Sequence, residues 1–251
     1  MRIISYNING IRAAIRKGFV SWLENESPDI LCLQEIKANP TQFDVSVFEN
    51  LGYHCFWNPA EKKGYSGVAI LSKIKPNKVI VGCGDSRIDE EGRVLKLELN
   101  DISVFSCYFP SGSSGDLRQE FKMNFLEYFF SFIKDQSHHN FIVSGDFNIC
   151  HKEVDIHNPT VNKNTSGFLI EERNWMTDFL ELGFVDSFRE INKEPHWYSW
   201  WSYRAGARMN NKGWRIDYHM LSSQLRDRIK RVDILRNVNH SDHCPVFLEL
   251  K

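Results

Sequence analysis

Apolar positions along the chain fall into two periods, one of two residues and one near 3.6, and their alternation predicts the order of the elements. Runs rich in β-branched and aromatic residues predict strands at 2–7, 29–34 and 53–58, with helical spacing between them near 12–26 and 40–51. Pro28-Asp29 before Ile30-Leu31-Cys32-Leu33 marks where the second strand begins. Four more strands follow near 67–73, 78–83, 93–99 and 102–108, the last two joined through Asn100-Asp101, a hairpin signal. From 116 to about 136, Phe121, Phe125, Phe129 and Phe132 recur at helical spacing and predict an amphipathic helix with an aromatic core face and Asp116 as its N-cap. Next come a strand at 141–147, a loop to about 168, a helix near 170–182, short strands at 184–188, 197–202 and 215–221, and closing strands near 230–235 and 245–250. Two groups of strands with helices outside them predict an α/β fold, a two-layer β-sandwich flanked by helices. No linker, repeat or low-complexity tract divides residues 1–251, so a single domain is expected.

Six apolar runs end on polar residues: Ser5-Tyr6-Asn7, Gln34-Glu35, Tyr108-Phe109-Pro110, Gly145-Asp146-Phe147-Asn148, Trp214-Arg215-Ile216-Asp217-Tyr218 and Ser241-Asp242-His243. That is the pattern of strand ends converging on one pocket. After the buried run Phe141-Ile142-Val143, Gly145 is read as the turn that sets Asp146 and Asn148 on one side, where a carboxylate and an amide suit a divalent cation and a phosphate. Asp242 and His243, directly before the terminal strand, pair a group that binds or orients with one that moves a proton near neutral pH.

A hydrophobic fraction of 42% in 251 residues supplies a large core. The net charge of −1 argues against a generic nucleic-acid coat but not against a local patch. Between Arg204 and Arg236 nine basic residues face three acidic ones, and Trp197, Trp200, Trp201 and Trp214 lie in or beside that segment, which predicts a phosphate-tracking, base-stacking surface. The six cysteines show no CxxC spacing and read as reduced, buried residues of a cytoplasmic protein. The chain opens on a strand pattern where a secretory signal needs a basic and then a longer apolar stretch, so export is not expected. No run approaches the roughly 18 apolar residues of a membrane helix, so no membrane partner is expected.

Taken in order, the six segments resemble the exonuclease III family of abasic-site endonucleases, within the DNase I-like superfamily. Gln34-Glu35, Gly145-Asp146-Phe147-Asn148 and Ser241-Asp242-His243 are shared across that superfamily and imply metal-dependent phosphoester hydrolysis. Tyr108-Phe109-Pro110, Trp214-Arg215-Ile216-Asp217-Tyr218 and the aromatic stretch Tyr198-Ser199-Trp200-Trp201 resemble the narrower family. His151-Lys152-Glu153 and Glu171-Glu172-Arg173 are also similar to it. Two positions depart: Ser111, followed by Gly112-Ser113-Ser114-Gly115, stands where much of the family has Asn, and Asn9 stands where some relatives have Asp.

The resemblance implies a DNase I-like four-layer α/β sandwich and hydrolysis of the phosphodiester 5′ to abasic sites in duplex DNA, with 3′–5′ exonuclease and 3′-end-cleaning activity. Its partner would be duplex DNA with abasic sites or blocked 3′ ends, met by a monomer. Glu35 would bind the metal, Mg2+ with Mn2+ able to substitute, aided by Asn7 and by Asp242 from further out. His243, oriented by Asp217, would act on the scissile phosphate; Asp146 would activate water or assist the leaving oxygen. Asn148, Asn7 and Tyr108 would bond the phosphoryl oxygens. Trp200, Trp214 and Ile216 would form a pocket for an extruded sugar without a base, with Arg208 and Lys212 on the DNA backbone. The compact length without an added N-terminal tail resembles a bacterial enzyme more than a nuclear one. Two competing readings are a phosphoinositide phosphatase or sphingomyelinase of the same superfamily, and a DNA-binding module without catalysis.

Overall fold

Strand alternation places two six-stranded sheets face to face in the computed structural model, which describes residues 1–136 and 140–251. The elements are β1 (Arg2–Asn7), α1 (Ile11–Arg16), α2 (Phe19–Glu26), β2 (Ile30–Gln34), α3 (Ser46–Glu49), β3 (His54–Asn58), β4 (Val68–Ser72), β5 (Lys78–Val81), α4 (Ser86–Asp89) and β6 (Val94–Glu98). They continue with β7 (Ser103–Tyr108), α5 (Asp116–Lys134), β8 (Phe141–Asp146), α6 (Pro159–Asn162), α7 (Ile170–Glu181), β9 (Phe184–Asp186), α8 (Ser187–Ile191), β10 (Asp217–Ser222), β11 (Ile229–Ile234) and β12 (Val246–Leu250).

The sheets run β11-β12-β1-β2-β4-β3 and β5-β6-β7-β8-β10-β9. Each has one parallel pair at its centre, β1 with β2 and β7 with β8, and antiparallel pairs outside it. β1 packs over β8 and β2 over β7, so the carboxyl ends of both parallel pairs meet at one edge of the sandwich.

Because alternate side chains leave a strand on opposite faces, Ile3, Ile30, Ile142 and Leu248 fill the layer between the sheets. Their neighbours Ile4, Leu31 and Leu33 pack against Phe19 and Leu23 of α2, and Phe105 and Val143 against Phe125 and Phe129 of α5 and Phe179 of α7. Burial on both faces explains why the central strands read as continuous apolar runs. Polar groups interrupt the inner layer beneath the converging ends. Gln34 accepts from the Ser5 hydroxyl at 3.2 Å and donates to Ser106 at 3.0 Å, while His219 meets Ser144 at 2.7 Å and the Val246 carbonyl at 2.9 Å.

Several expected elements are modified. The helix expected at 12–26 is two, broken at Gly18, whose φ is 89°. The one expected at 40–51 reduces to a 3-10 turn at Pro40–Gln42 and α3, and α4 was not anticipated. Gly115 caps α5 in place of Asp116, which lies in the first turn. Phe125 and Phe129 are buried, but Phe121 is half-buried beneath the Arg118 guanidinium, 4.4 Å from its ring, and Phe132 is half-buried at the core margin. Residues 197–202 form no strand; Trp200 makes isolated bridges to Trp214 and His243. The strand at 184 stops at Asp186, whose carboxylate caps α8 by accepting from the Phe188 and Arg189 amides.

Gly145 makes no turn. It lies inside β8, where a Cβ would sit 1.9 Å from the Cys107 carbonyl oxygen of β7, and only a glycine permits that approach. All six cysteines are free thiols, and among the described residues no helix is long and apolar enough to cross a membrane.

The Val246 carbonyl can only accept, so Nε2 of His219 carries the proton, Nδ1 accepts from Ser144, and burial pushes the imidazolium pKa down to about 4. A histidine neutral in the fold and near 6.5 when unfolded stabilises fully above pH 6.5, and that contribution is lost as pH falls from 6.5 toward 4. Urea titrations at pH 7 and pH 4.5 are expected to show an acid loss that is smaller in His219→Gln by up to about 3 kcal/mol.

Candidate active site

The converging strand ends crowd three carboxylates into a small volume, and the surrounding donors are placed to hold them there. Asn7, ending β1, donates from one amide nitrogen to Glu35 Oε1 and to Asp146 Oδ2, each at 2.8 Å. Glu35, just past β2, has a φ of 51°, and Asn9, Lys37 and Asn148 stand at 44°, 50° and 51°. Four non-glycine residues in the left-handed region around one site is strain held in place by its surroundings. The Asn148 turn is pinned because its backbone N–H donates to Asp146 Oδ1 at 2.8 Å and its side-chain nitrogen to the Phe109 carbonyl at 2.9 Å.

Glu35, Asp146 and His243 each offer a ligand atom within 4.8 Å of the others, a cluster able to hold a metal ion. Asp217 engages Nδ1 of the imidazole, and Glu35 and Asp146 supply the carboxylate oxygens that a hard divalent cation prefers. Of the two further groups expected to aid the metal, Asn7 is placed differently and Asp242 lies further out, as the sequence predicts. Asn7 turns its amide nitrogen, which cannot ligate, toward both carboxylates, and its oxygen accepts the Asn9 N–H at 3.1 Å. Asp242 stands outside the cluster and accepts from Asn9 at 2.9 Å, Trp200 Nε1 at 3.0 Å and Ser241 at 3.1 Å.

His243 Nδ1 lies 2.9 Å from Asp217 Oδ2, and its Nε2 3.8 Å from Asp146 Oδ2. Ser199 completes the arrangement, donating to Asp217 Oδ2 at 2.6 Å while accepting the Ile216 and Asp217 amides. Burial alone would lower the His243 pKa, but Asp217, Asp146 and Asp242 outweigh it and raise it to about 10. His243 is therefore an imidazolium at neutral pH. Burial and then Asp217 push the Asp146 carboxyl well above the usual carboxylate range, against the opposing pull of His243. Burial beside Glu35 likewise pushes the Tyr108 phenol well up, which keeps it a donor.

These groups border a cavity of about 410 Å³. On one side Trp200 and Trp214 meet edge to face at 6.0 Å, with Ile216 and Gly167 beside them. Asn9, Lys37, Ser111 and Ser113 line it too, none of them assigned a site role from the sequence; Lys37 Nζ is 2.6 Å from Glu35 Oε2. A hollow of about 490 Å³ near Lys62, Lys63 and Tyr65 contains none of the strand-end acids.

The basic segment forms no continuous face. Arg215 is buried between Asp155 at 2.8 Å and Asp186 at 2.6 Å, and Arg226, Arg228, Lys230 and Arg231 pair with neighbouring acids. Arg208 donates to the carbonyls of Ser241, Arg236 and Val238, so its guanidinium fixes the loop before His243. Lys212 is exposed and has no ion pair among the described residues. Of the four tryptophans only Trp200 and Trp214 line the cavity; Trp197 packs on Phe188, and Trp201 is buried under Arg208.

Residues 4–243 match the model of the Endonuclease/Exonuclease/phosphatase family. The chain is 45% identical to an exodeoxyribonuclease of Bacillus subtilis over 99% of its own length and 98% of that protein. Among solved structures, an AP endonuclease from Archaeoglobus fulgidus superimposes with a TM-score of 0.91 at 30% identity, covering 100% of this chain and 99% of that one. A 3′ phosphatase from Neisseria bound to product DNA hairpin gives a TM-score of 0.91 at 28% identity, over 100% of this chain and 99% of that one. With the family model matched over residues 4–243 and the whole sandwich superimposing on solved relatives, the chain belongs to the endonuclease/exonuclease/phosphatase family, beside its exodeoxyribonucleases and AP endonucleases.

Proposed function

We propose that the chain is a metal-dependent DNA repair nuclease that hydrolyses the phosphodiester 5′ to abasic sites in duplex DNA and also removes nucleotides or blocking groups from 3′ ends. The observation that carries this reading is the imidazole of His243, fixed by Asp217 within 3.8 Å of Asp146, beside a cavity walled by Trp200, Trp214 and Ile216. The relatives support the substrate class, being exodeoxyribonuclease, AP endonuclease and 3′ phosphatase.

Each requirement of the reaction has a residue. His243 puts a positive charge against the phosphoryl oxygens, and Tyr108 adds a phenolic donor. Asp146, as carboxylate, takes the proton of the attacking water, which its raised pKa favours. Asn7 and Asn148 hold Asp146 in place. A divalent cation at Glu35, magnesium or manganese, supplies Lewis-acid stabilisation of the developing charge when bound. Trp200, Trp214 and Ile216 accept a sugar that has no base to unstack, and Gly167 leaves that wall without a side chain. Lys212, exposed just before Trp214, follows the DNA backbone.

A duplex with one synthetic abasic site is expected to be cut on the 5′ side of the lesion in magnesium and not in EDTA. His243→Ala should lower kcat by about 10²–10⁴-fold, and no cleavage of either the damaged or an intact duplex by wild type would sink the reading. Trp214→Ala should reduce the preference for abasic over intact DNA by at least about tenfold; an unchanged ratio rules the pocket out.

His243 and Asp146 both have folded pKa values above their unfolded ones, so the stability they contribute is complete at low pH. It is lost as pH rises, for His243 from about 6.5 through about 10. Metal-free Asp146→Asn, relieved of one of three crowded charges, should be inactive yet more stable to urea at pH 8 by roughly 1–3 kcal/mol.

A further inference from the structure

We propose that Lys122 and Glu172, a buried ion pair on the outer helices α5 and α7, are positioning residues that hold the Asn148 turn against the 165–169 loop and thereby fix one wall of the active-site cavity. Both side chains are 0% exposed and lie 2.7 Å apart. Lys122 Nζ donates to the Asn148 carbonyl at 2.8 Å. Glu172 Oε2 accepts the backbone N–H of Gly167 at 2.6 Å and of Leu169 at 3.0 Å. Its Oε1 accepts from Gln119 at 3.1 Å and Ser166 at 3.3 Å.

The wall so held is tight. A Cβ on Gly167 would stand 2.9 Å from the Trp214 ring and 3.0 Å from the Asn148 carbonyl, and one on Gly112 would stand 1.8 Å from Gln119 Oε1. Gln119 thus backs the Ser111–Ser113 segment while bonding Glu172, so one buried cluster touches three parts of the cavity lining. Stability does not account for charge here: a buried ion pair costs as much to desolvate as it returns, and an apolar pair of equal volume serves packing as well or better. What apolar residues cannot do is fix one carbonyl and two amides at set points behind a left-handed turn. Asn148, at φ 51°, is the residue whose N–H orients Asp146, so a shift at its carbonyl is passed to the carboxylate. Burial holds the Lys122 ammonium pKa down, with Glu172 opposing it, as befits a charge kept dry.

The kinetic part of the test rests on the proposed nuclease reading; a second readout does not. The double variant Lys122→Met/Glu172→Leu removes both charges at similar volume. It should fold with a lowered unfolding midpoint, because the Asn148 carbonyl and the Gly167 and Leu169 amides lose their partners, while kcat on the abasic duplex falls about 10–100-fold. KM, and the affinity for manganese alone by calorimetry, should change less than about threefold. Lys122→Arg, which keeps a donor for the Asn148 carbonyl, should retain most of kcat. By NMR, without substrate, the Asn148 side-chain amide signals should shift or broaden in the double variant and stay in place in Lys122→Arg. A folded double variant with kcat within about twofold of wild type, or unchanged Asn148 signals, overturns the proposal. If the double variant does not fold, Glu172→Gln, isosteric and uncharged, must show the same fall in kcat at constant KM; wild-type kcat there is equally fatal. Wild type that cuts neither duplex defeats the nuclease reading, and the Asn148 signals still decide the positioning role.

Discussion

Like charges held together out of water are the constraint that organises this molecule. Glu35, Asp146 and Asp217 stand at the ends of different strands around one point, where burial and the charges of Asp217 and Glu35 push the Asp146 carboxyl up. Asn7 lies between Glu35 and Asp146 as a donor, His243 between Asp146 and Asp217 as a cation, and Ser199 covers Asp217 from behind. The left-handed residues follow from the same demand: a chain that must deliver a donor or an acid within 3 Å of another strand's end cannot always do so from a relaxed backbone.

The topology makes such crowding possible. In a parallel pair both chains present their carboxyl ends to the same edge, and two such pairs packed face to face bring four ends together. β10 adds Asp217 opposite Asp146 through its antiparallel register, and the segment before β12 adds His243. The Ser5–Gln34–Ser106 and Ser144–His219 contacts give the inner layer directional bonds under the site, which dispersion among aliphatic side chains cannot supply.

The parts legible in the sequence were those where one residue's chemistry and one strand's period sufficed. Strand ends carrying Glu35, Asp146, Asp217 and His243 were visible because an apolar run stops or starts at each. Helix breaks were less so: Gly18 splits α1 from α2 although the apolar spacing continues across it. Charge counting misjudged the 204–236 segment because it registers sign and not partners, and Arg215 and Arg208 are spent on buried acids and carbonyls contributed by distant segments. Lys122 was invisible for the same reason, since a lysine in an amphipathic helix reads as solvent-facing until its neighbour across the fold is known. Ser199 and Lys37 carried no signal beyond standing close to residues that did.

β12 lies between β11 and β1, so the last strand of the chain is inserted beside the first and brings His243 with it. Without that strand β1 would have an unpaired edge, and Glu35 and Asp146 would have no imidazole beside them. The pairing of residues more than 240 positions apart, Arg2 with Glu249, covers that edge and sets the imidazole among the acids. Closing the sheet and completing the site are therefore one event.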